Sequence, residues 1–301
     1  MKKMLPCYIK NTEIVFSEIK NTVCYIVKKI NKIMNVEADF NYRKPLKENE
    51  PKPAYGLDDE TEDRNKLPEY LYSFKKTVHN ARKLDLDIDQ GGFELIEHKS
   101  KVEDFYNDKD VVEIYYQEMS DYVKNKVGAD TVQIFSHITR NEAQAESGER
   151  KGGHRLVHND FTTSFGKTLD PFLQETGINP KRIVVFNLWR RFDKDGIDTP
   201  FAVCDKRTVS EKELIPTDLY NYLPDQPQAL TVEICQSAHS EEHKWYFFPN
   251  MNRDEVLMFK TYDSDESPFI PTLHSAFDYP NTPQGTSPRE SIEVRAVCFF
   301  D

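Results

Sequence analysis

The sequence predicts a β-rich α+β protein, built as an antiparallel sandwich or barrel with N-terminal and flanking helices. After Gly128, apolar residues recur with a period of two in short runs that are rich in β-branched and aromatic side chains. Pro, Asp, Asn and Gly separate these runs, and strands do not alternate with helices as a parallel sheet would require. The chain also contains neither of the glycine-rich motifs that bind nucleotides.

The first element is a predicted amphipathic helix over residues 14–34. Its apolar side chains follow a 3-4-3-4-3 spacing and therefore share one helix face, formed by Phe16, Ile19, Val23, Ile26, Ile30 and Ile33. Such a helix either packs on the outside of its own chain or makes a homodimer contact with coiled-coil character. We assign residues 1–35 to this N-terminal extension.

An arm and a second helix are predicted in the next region, residues 36–130. Residues 44–68 are rich in Pro, Glu, Asp, Lys and Asn and poor in large aliphatic side chains, so they cannot build a core of their own. A helix is predicted over 110–126, with Gly128 suited to its C-terminal cap. Its apolar face consists of Val112, Tyr115, Met119 and Tyr122. We expect the whole region to be an N-terminal arm with helical support.

Short strands account for the remainder of the chain, residues 131–301, which we take as one core domain. They are predicted at 131–139, 182–190, 201–204, 231–235, 245–248, 256–262 and 291–300.

Composition excludes several classes of function. The 301-residue chain has a formal net charge of −11, so no basic surface for nucleic acid is expected. No run approaches the roughly 18 uninterrupted apolar residues of a membrane helix, and no signal peptide is apparent. The five cysteines form no C-x-x-C pair, which favours reduced thiols. We expect a soluble, cytoplasmic protein.

Three residues offer side chains for a metal ion. His158 and Asp160 are two positions apart, so on a strand they project from the same face. His274 is the best candidate for a third ligand from a neighbouring strand. Two histidines and one carboxylate leave three octahedral positions open, which suits an Fe(II) that binds a chelating cosubstrate and O₂. The alternative is a surface histidine beside a turn aspartate.

A strand beyond His274 offers a binding site for a carboxylate. Arg289, Ser291 and Arg295 fall on one face of this strand. An arginine fork with a hydroxyl two residues away could anchor the distal carboxylate of 2-oxoglutarate. Arg289 with Ser291 is the favoured pair and Arg295 the competing anchor, whereas a salt bridge to an acidic neighbour is the structural alternative.

Five further residues are weaker candidates for contact with substrate or cosubstrate. Asn187, Trp189 and Arg190 lie together on one predicted strand, although Trp189 suits the core equally well. His137 and Arg140 lie at the end of another strand, where a structural role is at least as good an interpretation.

The H-x-D pair, the distant histidine and the R-x-S motif resemble the Fe(II)/2-oxoglutarate oxygenase superfamily, whose fold is a double-stranded β-helix, or jelly roll. Within it, the chain resembles the CmcJ/AsaB/gibberellin-desaturase-like family from about Val36 to the C-terminus. The matching segments are G-F-E-L at 92–95, D-F-Y at 104–106, N-L-W-R at 187–190, A-V-C-D at 202–205, W-Y-F-F-P at 245–249, E-V-L-M-F-K at 255–260 and R-E-S-I-E-V-R at 289–295.

This resemblance implies a catalytic core at 131–301 that uses Fe(II), 2-oxoglutarate and O₂. Such an enzyme releases succinate and CO₂, and through a ferryl species it hydroxylates or desaturates a small-molecule natural product. Two other classes stay open at this point. One is a metal-binding jelly roll that does not use 2-oxoglutarate, either a cupin-like isomerase or a dioxygenase. The other is a non-catalytic interaction protein.

Overall fold

The computed structural model describes residues 35–56, 67–84, 86–194, 196–220, 232–280 and 282–301. The predicted helix over 14–34, and with it the proposed dimer contact, lies outside these residues. Within them, no helix is long and apolar enough to cross a membrane.

The described strands are β1 Val36–Arg43, β2 Ala54–Gly56, β3 Leu71–Asn80, β4 Phe93–Glu97, β5 Thr131–Asn141, β6 His158–Asn159, β7 Arg182–Arg191, β8 Phe201–Cys204, β9 Leu214–Tyr220, β10 Val232–Ser237, β11 Trp245–Phe247, β12 Glu255–Asp263, β13 His274–Ala276 and β14 Glu290–Phe300. The main helices are α1 Tyr116–Val127, α2 Phe165–Thr168 and α3 Asp170–Thr176.

These strands form two sheets. The larger has the order β1-β3-β11-β8-β13-β6-β10-β9-β2, and the smaller has the order β4-β12-β7-β14-β5. Most neighbouring strands are antiparallel, while β3 with β11 and β2 with β9 are parallel. Aromatic side chains connect the two inner faces, since Phe201 of the larger sheet packs on Trp189 and Phe259 of the smaller. The architecture is the double-stranded β-helix that the family resemblance implies.

The smaller sheet has two chemically different faces, because side chains alternate along each strand. On β14, Ile292 and Val294 lie in an apolar cluster with Met119 and Val123 of α1. The intervening Ser291, Glu293 and Arg295 are also buried, but they lie on the opposite face. This alternation gives the inner face a row of polar side chains beneath the larger sheet.

After residue 108, every predicted element is present, whereas β6, β9 and β13 were not among the predicted strands. Each of the seven predicted strands is present, with ends that differ by a few residues. The helix predicted over 110–126 begins at Asp108–Asp110, widens through a π-helical turn at Val111–Tyr115 and continues as α1. Gly128 caps it in the left-handed conformation, with φ of 70°.

Region 36–130 contains more sheet than the prediction of an arm with helical support allows. Strand β1 pairs along its whole length with β3 at one edge of the larger sheet. In addition, β2 pairs with β9 and β4 pairs with β12. Apolar residues of β1 such as Phe40 and Tyr42 are buried in the core, so this part of the chain belongs to the sandwich itself.

Candidate active site

The two predicted histidine ligands face each other on adjacent strands. His158 on β6 is paired directly with His274 on β13, and their ring centroids lie 4.3 Å apart. The Nδ1 of His158 is 2.7 Å from the carbonyl oxygen of Leu156, and that of His274 is 3.1 Å from the carbonyl oxygen of Thr272. Because a carbonyl only accepts, both Nδ1 atoms carry the proton and both Nε2 lone pairs are available to a metal.

Asp160 completes the group immediately after β6. Its Oδ1 lies 3.5 Å from Nε2 of His158 and 3.9 Å from Nε2 of His274. One ligand atom from each of the three residues lies within 4.8 Å of the others. Two imidazole nitrogens and one carboxylate oxygen are a donor set that fits Fe(II) and leaves coordination positions open.

The other oxygen of Asp160 is held by the inner face of the smaller sheet. Oδ2 accepts hydrogen bonds from Nδ2 of Asn187 at 2.8 Å and from Nε of Arg295 at 2.7 Å. Asn187 is itself oriented, because its Oδ1 accepts from Thr261 at 2.9 Å and its Nδ2 also donates to Glu293 at 3.0 Å. Asn187 and Arg295 therefore aim Oδ1 at the two imidazoles.

The electrostatics suit a metal site. Burial alone would raise the pKa of the Asp160 carboxyl, but Arg295 and the two histidines hold it well below its usual range. Burial and the neighbouring His158 lower the pKa of His274 to about 3. Asp160 is thus an anion and His274 a neutral imidazole near pH 7, which are the protonation states that coordinate a metal.

A second group of polar side chains, which we call the cradle, consists of Arg289, Ser291 and Trp189. Arg289 precedes β14, and its Nη1 donates to the carbonyl oxygen of Thr199 at 3.0 Å. Its guanidinium carbon lies 5.4 Å from the centre of the Trp189 ring. Burial lowers the pKa of Arg289 to about 9, so the side chain remains a cation near pH 7.

The cradle contains unpartnered polar atoms. Within the described part of the chain, Nε of Arg289, the hydroxyl of Ser291 and Nε1 of Trp189 are buried without a hydrogen-bond partner. A buried donor left unpaired costs about 1–3 kcal/mol. A cation with two unpartnered donors beside it fits the carboxylate of a bound anion such as 2-oxoglutarate.

Of the remaining candidates, Arg190 and His137 lie away from the metal group and the cradle. Arg190 lies on the face of β7 opposite Asn187 and Trp189, where it donates to Tyr115 and the carbonyl oxygen of Arg253. His137 lies opposite Val294 on the helix side of β5 and contacts Tyr116 and Asp108. Neither side chain reaches the metal group or the cradle.

Unlike Arg190 and His137, both Arg140 and Arg295 lie on the inner face of the smaller sheet. Arg140 pairs in register with Ser291 and donates to the carbonyl oxygen of Gly152, so it lies on the same face as the cradle. Arg295 is engaged with Asp160 and with Glu293, whose carboxylate lies 3.1 Å from its Nη2. This geometry favours Arg289 over Arg295 as the anchor of a bound carboxylate.

Known proteins share this architecture. A family model described as an oxidoreductase/YMDC permease-like domain matches residues 40–299. The Fe(II)/2-oxoglutarate-dependent dioxygenase nvfI of Aspergillus novofumigatus is 31% identical over 242 residues, which cover 75% of this chain and 85% of the relative. The chain belongs to the Fe(II)/2-oxoglutarate-dependent dioxygenases. The comparisons therefore confirm three expectations that the resemblance implies. These are the dioxygenase family, the jelly-roll fold, and the cofactors Fe(II), 2-oxoglutarate and O₂.

Further comparisons agree with membership of this dioxygenase family. The hydroxylase/desaturase efuI of Hormonema carpetanum is 30% identical, over 72% of this chain and 80% of its own. A solved structure of the iron and alpha-ketoglutarate-dependent endoperoxidase NvfI superposes with a TM-score of 0.73 at 28% identity, covering 88% of this chain and 98% of that one. Family membership decides against a jelly roll without 2-oxoglutarate and against a non-catalytic interaction protein.

Three supporting residues around this dioxygenase site were missed or given another role by sequence reasoning. Asn187 was a candidate for substrate contact, whereas its amide holds Asp160. Thr261 and Glu293 had no assigned role, and both contact Asn187. Strand parity places Glu293 on the same face as Ser291 and Arg295, but no local pattern identifies Thr261, because its contact depends on how β12 pairs with β7.

Proposed function

We propose that this dioxygenase binds one Fe(II) through Nε2 of His158, Nε2 of His274 and Oδ1 of Asp160. The convergence of these atoms within 4.8 Å supports the assignment, because every other polar atom of the three side chains already has a partner that orients it. Such preorganisation by surrounding groups is typical of metal ligands.

Arg289 and Ser291 would hold the distal carboxylate of 2-oxoglutarate. The buried cation at Arg289 and the unpartnered hydroxyl of Ser291 support this role. When bound, iron and 2-oxoglutarate together supply an oxidant from O₂, with release of succinate and CO₂. The protein contributes position and exclusion of water, since Phe201 and Phe259 pack against the ring of His274 at 5.5 and 4.9 Å.

The substrate is proposed to be a small-molecule natural product that is hydroxylated or desaturated. The names of relatives support this class, because they include hydroxylase/desaturases and an aspirochlorine biosynthesis protein. We also propose that the enzyme acts in the cytoplasm. For residues 14–34, packing on the same chain and a homodimer contact are both left open.

The test is 2-oxoglutarate turnover by purified protein, measured as succinate formed with and without Fe(II) and O₂. We expect succinate only when both are present, and a loss to background in His158→Ala together with loss of bound iron. His239→Ala is the matched control, because His239 stacks on Phe74 and lies outside the metal group. Succinate formation that survives in His158→Ala, or that does not require Fe(II), would contradict the proposal.

A further inference from the structure

We infer that Trp189 is a third hydrogen-bond donor to the distal carboxylate of 2-oxoglutarate, through its indole Nε1. The inference rests on the proposed function and assigns Trp189 to cosubstrate recognition, rather than to the apolar core or to the substrate.

Register places Trp189 beside the other two cradle residues. On β7 it is paired directly with Glu293 of β14, while Ser291 is paired with Arg191. Trp189 and Ser291 are therefore diagonal neighbours on the same face, a separation that an aromatic side chain can span. The guanidinium of Arg289 lies over the indole ring, which brings all three side chains together.

The unpartnered atoms indicate the kind of ligand. Trp189, Arg289 and Ser291 are exposed by only 2%, 1% and 1%, yet each has one polar atom without a partner in the described chain. An indole N–H only donates, and so does a guanidinium, so the missing group must accept. A carboxylate offers about four acceptor positions and a negative charge, enough for all three atoms.

A stack of rings connects the cradle to the metal group. The Trp189 ring lies 5.0 Å from that of Phe201, and Phe201 lies 5.5 Å from the ring of His274, in both cases nearly parallel. The cradle is therefore two ring contacts away from His274, and we expect one bound molecule to reach both groups. This arrangement fits a 2-oxo acid with a second carboxylate and disfavours a 2-oxo monoacid.

The test uses the two tryptophans of the chain, Trp189 and Trp245, which give two indole N–H signals in ¹⁵N-labelled full-length protein. Zn(II) replaces Fe(II) as a diamagnetic ion. We expect 2-oxoglutarate to move the Trp189 proton signal downfield and to leave Trp245 unchanged, because Trp245 already donates to Tyr42 at 2.8 Å. 2-Oxobutyrate, which lacks the distal carboxylate, should leave the Trp189 proton signal in place.

A variant provides an independent measurement. Trp189→Phe keeps an aromatic ring against Phe201 but removes the N–H, so the Kd and KM for 2-oxoglutarate should rise about tenfold. The kcat at saturating 2-oxoglutarate should change by less than about threefold, which a general loss of structure would not allow. Trp245→Phe is the matched control and should leave the Kd unchanged.

The outcomes separate this inference from the proposed function. Binding of 2-oxoglutarate with no movement of the Trp189 signal and no change of Kd in Trp189→Phe would overturn the role of Trp189 alone. No binding of 2-oxoglutarate to the wild-type, metal-loaded protein would overturn both.

Discussion

The metal group and the cradle lie on the same inner surface but differ in how their polar atoms are satisfied. At Asp160, the oxygen that faces away from the histidines accepts two hydrogen bonds, from Asn187 and Arg295. In the cradle, Arg289, Ser291 and Trp189 each retain a buried polar atom without a partner among the residues that the structure describes. The protein therefore orients the proposed metal ligands by itself, whereas we expect a bound anion to complete the cradle.

This difference separates positioning from recognition. Residues around the metal act through Asp160, so their loss should weaken metal binding first. Residues of the cradle should act on 2-oxoglutarate and leave the affinity for metal nearly unchanged. Each prediction below tests one side of this division.

The largest effect is expected at Arg295. Arg295→Met removes the hydrogen bond to Asp160 and its compensating charge, so affinity for Fe(II) should fall about 10–100-fold. Anaerobic calorimetry with Fe(II) measures this change. Ser136→Ala is the control, because Ser136 contacts only the far end of Arg295 at 3.4 Å, and it should stay within about twofold of wild type. If Arg295→Met binds Fe(II) with wild-type affinity, Arg295 does not position Asp160 for metal binding.

A smaller effect is expected at Ser291. Ser291→Ala removes one neutral donor to the bound carboxylate, so the Kd for 2-oxoglutarate should rise about fivefold to tenfold while metal affinity is unchanged. Ser237→Ala removes a buried strand serine whose hydroxyl already donates to the carbonyl oxygen of Ala238, and it should leave the Kd unaltered. Equal Kd values in all three proteins would refute the assignment of Ser291.

The smallest effect is a dependence on pH. Burial lowers the pKa of Arg289 to about 9, and only the protonated guanidinium attracts a carboxylate. Affinity for 2-oxoglutarate should therefore be constant from about pH 7 to 8 and decrease severalfold as the pH rises through about 9. Calorimetry with Mn(II) in place of Fe(II) gives the profile, with metal affinity measured at each pH. An unchanged Kd for 2-oxoglutarate across that pH range would argue against a lowered pKa of Arg289.

The sequence predicted the parts of this molecule that rest on local patterns. Runs rich in β-branched and aromatic residues located β7, β12 and β14, because these strands are long and buried on both faces. It could not locate β6 or β13, which have two and three residues. Strand β1 does alternate, with Ala38, Phe40 and Tyr42 buried, but its polar intervening residues resembled the adjoining arm.

At the candidate site, too, local sequence patterns identified some residues but not the contacts between sheets. The proposed metal ligands followed from the spacing of His158 and Asp160 and from a resemblance that covers most of the chain. Arg190 was misplaced although parity alone puts it on the face opposite Asn187 and Trp189. The contact between Asn187 and Asp160 was beyond local reasoning, because it joins the two sheets and depends on how they pack.

In this account, the protein orients the proposed iron ligands by itself, while the cradle requires a bound anion. The most direct test is the visible absorption spectrum of the anaerobic protein with Fe(II), recorded before and after 2-oxoglutarate is added. We predict one Fe(II) per chain and a weak charge-transfer band that appears only with 2-oxoglutarate. In Arg289→Ala, Fe(II) should still bind, but the band should require far more 2-oxoglutarate. A band that forms in Arg289→Ala at wild-type concentrations, or no band in the wild type, would contradict the account.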